Sequence, residues 1–311
     1  MSKMIFGAGS ILIGSMVVPA LAADKGALPT FATLNAARPA NLYSWMSPEI
    51  GNAWKSGFRG QGTTITVIDD FRSANANRGN LGNGVQNLRH GEWTRLQAGM
   101  IAPSATLASH DFYSARAVPL ATRGLNVLNL SYGMYAAAGF NANQIGWSAQ
   151  ESSIISYANG RAFIAKAAGN DGVNIGAANR GGQVDYLNAA LTGKTSAVFV
   201  GALDRNGTPT QKASLASYSN RAGSQSAVQS RFLSVGVRGD VTGLYGTSFA
   251  APIVSGYAAI LGSKFTSANG TQIANQLLAT ARQDTIQNYN IAIHGRGEAS
   301  IARALAPVSI R

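Results

Sequence analysis

With no cysteine in its 311 residues, the chain has no thiol nucleophile, no disulfide and no thiolate-built zinc site. Ser248 is the serine most open to chemistry. It follows Gly246-Thr247 and stands at the head of an apolar, almost uncharged run that reaches Ile260 and Leu261. A hydroxyl so placed can be a nucleophile, a helix cap or a turn residue, and capping is the commonest of the three. Serine attacks a carbonyl only when a base takes its proton. Imidazole titrates near the working pH, and the chain has three histidines, His90, His110 and His294. Asp69 and Asp70 end a β-branched run, where an acid is often only a turn or cap residue. Asn170 closes Ala167-Ala168-Gly169-Asn170, and a Gly-Asn pair alone is an ordinary turn.

The elements that must position these groups can be read from pattern. Thr63 to Ile68 is a β-branched run that suits a buried strand, and it delivers Asp69 at its carboxyl end. Asn126 to Gly133, ending in a turn, Phe163 to Asn170, ending in Ala-Ala-Gly-Asn, and Thr195 to Leu203 predict further strands. A helix is expected from Ser47-Pro48-Glu49 to about Ser56, with a cap, a proline and an acid in its first turn. Residues 72–88 are rich in Asn and Gly and read as a surface loop. Gln144 to Ala158 has weak helical periodicity, and Thr271 to Arg282 and Ile301 to Ala306 read as surface helices. The run after Ser248 is a helix buried on most sides that starts near Thr247 or Ser248, since Pro252 is tolerated only in a first turn. Free N–H groups at that end favour developing negative charge. Strands alternating with helices predict an α/β fold: a single domain with a mostly parallel central sheet and helices on both faces.

The string Gly246-Thr247-Ser248-Phe249-Ala250-Ala251-Pro252-Ile253-Val254-Ser255-Gly256 closely resembles the nucleophile motif of the subtilisin-like serine proteases, the subtilases. Phe249 stands where that family has Met, and Ile253 where it has His. The resemblance makes Ser248 the nucleophile and implies an Asp, a His and an Asn upstream, in the family's Asp, His, Ser order. Val67-Ile68-Asp69 resembles the strand that ends in the family's catalytic Asp; Asp70 is a competitor for the role. His90-Gly91 matches the first two positions of the family's histidine motif. Ala98 to Leu107 resembles the helix end and Ala-Pro-x-Ala-x-Leu strand start that follow it, which fixes the register and favours His90 over His110 as the base. His294 lies beyond Ser248, outside the triad order. Glu92 follows two residues after His90, a spacing that points the two side chains to different faces of a helix. Ala168-Gly169-Asn170 resembles the oxyanion motif and makes Asn170 the expected donor. By the same resemblance Ser131, Tyr132, Gly133, Ala168 and Gly169 would line the substrate, and the fold would be a subtilisin-like peptidase domain over residues 43–311. Asp171, beside Asn170, would favour a basic side chain at the cleavage site.

Residues 1–22 read as a secretory signal. Lys3 supplies the positive start, Met4 to Val18 the apolar run, and Ala20-Leu21-Ala22 the small-residue cleavage pattern. Residues 23–42 read as an exposed arm, too short for the long folding-assisting propeptide that subtilases usually carry. The formal charge of +12 comes without a dense basic cluster interleaved with aromatics, so no nucleic-acid partner is expected. No stretch after the leader is apolar enough to span a bilayer. Together these point to a secreted serine endopeptidase, extracellular or periplasmic and monomeric, that acts on proteins or peptides through an acyl-enzyme intermediate. Its chemistry needs no cofactor and no metal; structural calcium stays open, since the family's calcium loops vary and acids here are few. The competing reading is a subtilase-fold binding protein without activity. An esterase or lipase would carry Gly-x-Ser-x-Gly, a frame that Ser248 lacks.

Overall fold

Residues 40–310 are described by the structure, a computed structural model; the expected leader (residues 1–22) and residues 23–39 of the expected arm lie outside them. Helix α1 (Glu49–Lys55) precedes strand β1 (Thr64–Asp69). The antiparallel pair β2 (Asn77–Gly79) and β3 (Gln86–Leu88) leads into helix α2 (His90–Ile101) and strand β4 (Thr106–Asp111). Strand β5 (Asn126–Leu130), the short β6 (Tyr135–Ala137), helix α3 (Ala149–Tyr157) and strand β7 (Phe163–Ala167) follow. Strand β8 (Gln183–Asp185) pairs antiparallel with β6 and runs directly into helix α4 (Tyr186–Leu191). Strand β9 (Ala197–Leu203), the one-turn α5 (Ser226–Gln229), strand β10 (Phe232–Gly236) and the one-turn α6 (Gly239–Thr242) come next. Helix α7 (Ala251–Lys264) is the longest among the described residues, and α8 (Gly270–Ala279), α9 (Ile291–His294) and α10 (Ile301–Leu305) complete the described chain.

Six strands form one sheet in the order β10-β9-β7-β5-β1-β4, and every pairing in it is parallel. Every residue of β5, β7, β9 and β10 is buried, as expected of parallel strands covered on both faces. The chain steps from β1 to β4 in one direction through α2, then from β5 to β7 in the other through α3. Right-handed crossovers in opposite directions lay their helices on opposite faces. One apolar core accordingly holds side chains of α1, α2, α7, α8 and α10 against the sheet, and a second holds those of α3 and α4. The strand order reverses about β1 and β5, so a crevice opens at their carboxyl ends, where open α/β sheets bind ligands.

Helix α7 is buried along its whole length except Lys264. Each large aliphatic side chain it buries contributes roughly 1.5–3 kcal/mol. The helix proper begins at Ala251, with Pro252 in its first turn, and a 3₁₀ turn over Thr247–Phe249 leads into it. Ser248 is therefore in that turn and not at the head of the α-helix, and its side chain caps nothing.

Several elements differ from the sequence expectation, among them α3, which starts at Ala149 after its Ser148 cap instead of at Gln144. Residues 72–88 contain the β2–β3 hairpin, too short and polar to leave a periodic signal. It is held by Trp93 Nε1, which donates to the Asn77 carbonyl at 2.8 Å, and by the Asn80 N–H, which donates to the Thr242 carbonyl at 2.8 Å. Helix α1 starts at Glu49 instead of Ser47. Helix α8 is capped by Asn269 and ends at Ala279, before Arg282, because the Arg282 N–H is taken by the Glu298 carbonyl at 2.7 Å.

Candidate active site

Strand β1 ends on Asp69 and helix α2 begins on His90, and the two side chains meet. His90 Nδ1 lies 2.6 Å from Asp69 Oδ1, with both residues buried. A carboxylate only accepts, so the proton of this bond is on Nδ1 and the lone pair of the neutral ring is on Nε2. Asp69 is itself fixed twice more: the Asp70 N–H donates to Oδ1 at 2.7 Å, and Thr94 Oγ1 donates to Oδ2 at 2.9 Å. Thr94 stands one helical turn after His90, a spacing that puts both on one face of α2; that spacing was a signal the motif comparison passed over. Burial opposes the imidazolium, but the charge of Asp69, its hydrogen bond and the charge of Asp70 outweigh it, so the His90 pKa is raised.

Gly91 is needed where the two segments touch. A Cβ there would lie 2.8 Å from the Asp70 carbonyl oxygen and 2.9 Å from the Phe71 ring. Asp70, the competitor for the acid's role, does turn chemistry: its Oδ1 accepts the N–H groups of Arg72 and Ser73 at 3.1 and 2.8 Å. Glu92 is turned away from His90. It accepts the Arg89 N–H at 2.9 Å and pairs with the Arg89 guanidinium at 3.0 Å, closing the start of α2. The other histidines have separate surroundings. His110 is on the edge strand β4. His294 ends α9, stacks on Tyr289 and contacts Asn290, and burial lowers its pKa.

Ser248 is tied to the end of β5 by a reciprocal pair of hydrogen bonds. Its Oγ donates to the Ser131 carbonyl at 3.2 Å, and Ser131 Oγ donates to the Ser248 carbonyl at 2.9 Å. Asn129 Nδ2 donates to Ser131 Oγ at 3.0 Å, and Ser255 Oγ donates to Asn129 Oδ1 at 3.1 Å. This buried chain registers α7 against β5. The His90 ring packs on Phe249, the residue after Ser248, with centroids 5.6 Å apart. Phe249, a departure from the motif, thus packs directly on the imidazole.

Asn170 follows β7. Its Oδ1 accepts from the Thr247 N–H at 2.8 Å and from Thr247 Oγ1 at 2.9 Å, while Thr247 Oγ1 accepts the Gly169 N–H at 3.1 Å. An N–H can only meet the amide oxygen, so the orientation of Asn170 is settled by chemistry: its NH₂ is the opposite end of the group. Ser131, Tyr132, Gly133, Gly169, Asn170 and Ser248 all line one cleft of about 130 Å³. Ala168 does not line it. It is fully buried, its carbonyl is taken by the amides of Asn188 and Asn220 at 3.1 and 3.0 Å, and its neighbours Ala167 and Gly169 reach the cleft. Pattern reasoning also missed Tyr135 and Lys166 in that lining.

The arrangement brings a buried Asp–His pair, a serine in a tight turn and an oriented amide to one carboxyl edge. The sequence model of the subtilase family matches residues 101–295, well over half of the chain. The chain belongs to the subtilase family. That match includes Asn170 and Ser248 and stops short of Asp69 and His90, which are joined to the site by the geometry above. Solved structures repeat the fold of this subtilase. The prenylagaramide maturation protease PagA is 19% identical with a TM-score of 0.55, over 83% of this chain and 98% of that one. MycP1 from the ESX-1 type VII secretion system is 22% identical with a TM-score of 0.53, over 83% of each chain. MycP1 from Mycobacterium smegmatis is 21% identical with a TM-score of 0.53, over 89% of each chain. No curated protein sequence matches the chain. Among the described residues no helix is long and apolar enough to cross a membrane, and no three His, Asp or Glu side chains gather as they would around a metal ion.

Proposed function

We propose that this subtilase is an exported serine endopeptidase that hydrolyses peptide bonds through Asp69, His90 and Ser248 by way of an acyl-enzyme. The observation that carries the reading is the buried 2.6 Å contact between His90 Nδ1 and Asp69 Oδ1. It fixes the tautomer in which Nε2 takes the Ser248 proton and later returns it to the leaving amine, while Asp69 stabilises the imidazolium. The Ser248 N–H and the Asn170 NH₂ would hold the tetrahedral oxyanion, the second kept in place by Thr247. The peptide would lie along Ser131-Tyr132-Gly133 on one side and Gly169 on the other. No cofactor or nucleic acid enters this chemistry, and the chain is read as acting alone on proteins or peptides.

Export rests on the leader pattern of residues 1–22, and N-terminal sequencing of the exported protein should start at Ala23. A start at Met1 would remove that part of the reading. The rival, a subtilase-fold binding protein without activity, is disfavoured because Asp69, His90, Asn170 and Ser248 are all present. The deciding experiment is labelling with a fluorophosphonate probe together with casein hydrolysis. Wild type should label and cleave, and Ser248→Ala should do neither while keeping its fold. Undiminished casein hydrolysis by Ser248→Ala would end the reading.

A further inference from the structure

The cleft beside Ser248 is crossed by a side chain. Tyr135, the first residue of β6, lies against both of its walls. On the β5 side, a Cβ built on Gly133 would lie 2.6 Å from Tyr135 Cε2. On the β7 side, a Cβ built on Gly169 would lie 3.4 Å from the Tyr135 hydroxyl. The ring therefore spans from the segment after β5 to the segment after β7, the two that flank the nucleophile. Resting on the protease reading, we propose that Tyr135 is a bar across the side-chain pocket, which limits cleavage to bonds that follow a residue with a small side chain such as Ala, Ser or Gly.

The bar is held from several directions. Its hydroxyl donates to Asp171 Oδ2 at 3.2 Å, and Asn179 Nδ2 donates to the other oxygen of Asp171 at 3.3 Å. The Asp171 N–H donates to Asn220 Oδ1 at 3.0 Å, which anchors this support to the loop before α5. The carboxylate that pattern reasoning offered to a basic substrate side chain thus holds Tyr135. The backbone of Tyr135 is set opposite Asp185 in the β6–β8 pair. Asp185 Oδ2 would lie 2.7 Å from a Gly133 Cβ, so the carboxylate fills the space beside the ring on the Gly133 side. Lys166, which also lines the cleft, is tied down by that same oxygen at 2.9 Å and by the Ala167 carbonyl at 2.7 Å. A long substrate side chain would have to break the Tyr135–Asp171 bond and swing the ring away from a buried ion pair. A methyl group asks for neither.

The test uses the exported protein and a series of fluorogenic peptides that differ only in the residue before the scissile bond: Ala, Leu, Phe or Lys. Fluorophosphonate labelling is run in parallel. Wild type should favour Ala over each of the others by about tenfold or more in kcat/KM, the lower end of what one methylene of misfit is worth. Tyr135→Ala should shift the Phe-to-Ala and Leu-to-Ala ratios upward by a similar factor. Tyr135→Phe keeps the ring and should keep the wild-type order. Ratios between substrates are insensitive to a loss of folded enzyme, and the wild-type profile decides even if Tyr135→Ala does not fold. A labelled wild type that cleaves after Phe or Lys as well as after Ala overturns the bar alone. A wild type that neither labels nor cleaves overturns the protease reading, and the bar with it.

Discussion

Gly256 of α7 and Ile101 at the end of α2 touch backbone to side chain: a Cβ on Gly256 would lie 2.3 Å from Ile101 Cγ2 and 2.5 Å from its Cβ. The helix that begins on His90 and the helix that follows Ser248 thus meet where the carboxyl end of α2 lies against the first half of α7, with no α7 side chain between them. In an exposed helix Ala would be favoured over Gly by about 1 kcal/mol. Here the clash wins, because Ile101 Cβ is fixed to the backbone of its own helix. Gly256→Ala should destabilise by about 1–3 kcal/mol, the usual cost of overpacking. Urea unfolding measured in a Ser248→Ala background, to prevent self-digestion, reads this directly. Ile101→Gly removes both clashing atoms, so the double variant should be more stable than the two single losses add up to. Strict additivity would mean the contact is not what excludes the methyl.

The raised pKa of His90 fixes the sign of a pH effect. Only the neutral ring accepts the Ser248 proton, so activity is lost as pH falls through the folded pKa. The acidic limb of kcat/KM should therefore have its midpoint above the usual histidine value of about 6.5. Asp69→Asn removes the charge that raises it and leaves burial to lower it. Its limb should move to lower pH, and the plateau should fall by about 10⁴ because the tautomer is no longer imposed. Asp70→Asn should move the limb down slightly with the plateau kept. A limb that moves up in Asp69→Asn would contradict the assignment of the base.

Asn170→Ala separates transition-state binding from ground-state binding. The oxyanion exists only after attack, so kcat should fall by about 10²–10³, the usual cost of one missing donor, with KM little changed. Thr247→Val should show a weaker form of the same pattern, since it frees Asn170 Oδ1 from one of its two donors while keeping the Thr247 N–H. A large KM effect with kcat unchanged would make Asn170 a substrate-binding residue instead.

What the sequence made legible was local or carried by long motifs. Runs such as Thr64 to Ile68 and Phe163 to Ala167 announce buried parallel strands without any partner being known. Ser248 and Asn170 stand in strings close to the family's, and the strand that carries Asp69 ends on it, where a crevice must open. The supports were hidden because they join residues far apart in the chain. Ser131 and Ser248 are 117 residues apart, and Ser255 and Asn129 are 126 apart. Ala168 was misplaced for a related reason: side chains at a strand end alternate between faces, and one position decides between the cleft and the core. Lys166 was invisible as part of the site because a lysine inside an apolar strand makes sense only once its carboxylate partner is located.

That partner gives the last prediction. Lys166 and Asp185 form an ion pair whose side chains are 1% and 5% exposed, so solvent screens it little. Removing one member of such a pair strands the other charge in the interior, at a cost of about 3–5 kcal/mol. Lys166→Met, similar in length and apolar, should lower stability by that amount. Asp185 has other duties as well: its Oδ1 accepts the Met134 N–H at 2.9 Å and the Leu187 N–H at 3.1 Å, the second as the cap of α4. Asp185→Leu would lose all of these, whereas Asp185→Asn keeps an oxygen for both donors and removes only the charge. The double variant Lys166→Met, Asp185→Asn should therefore recover most of the stability that Lys166→Met loses, and Lys166→Met, Asp185→Leu should recover little. The comparison is made by urea unfolding in the Ser248→Ala background. Equal stability of the two double variants would mean that the carboxylate's hydrogen bonds to Met134 and Leu187 contribute nothing. Full stability of Lys166→Met alone would mean that the pair does not need its lysine.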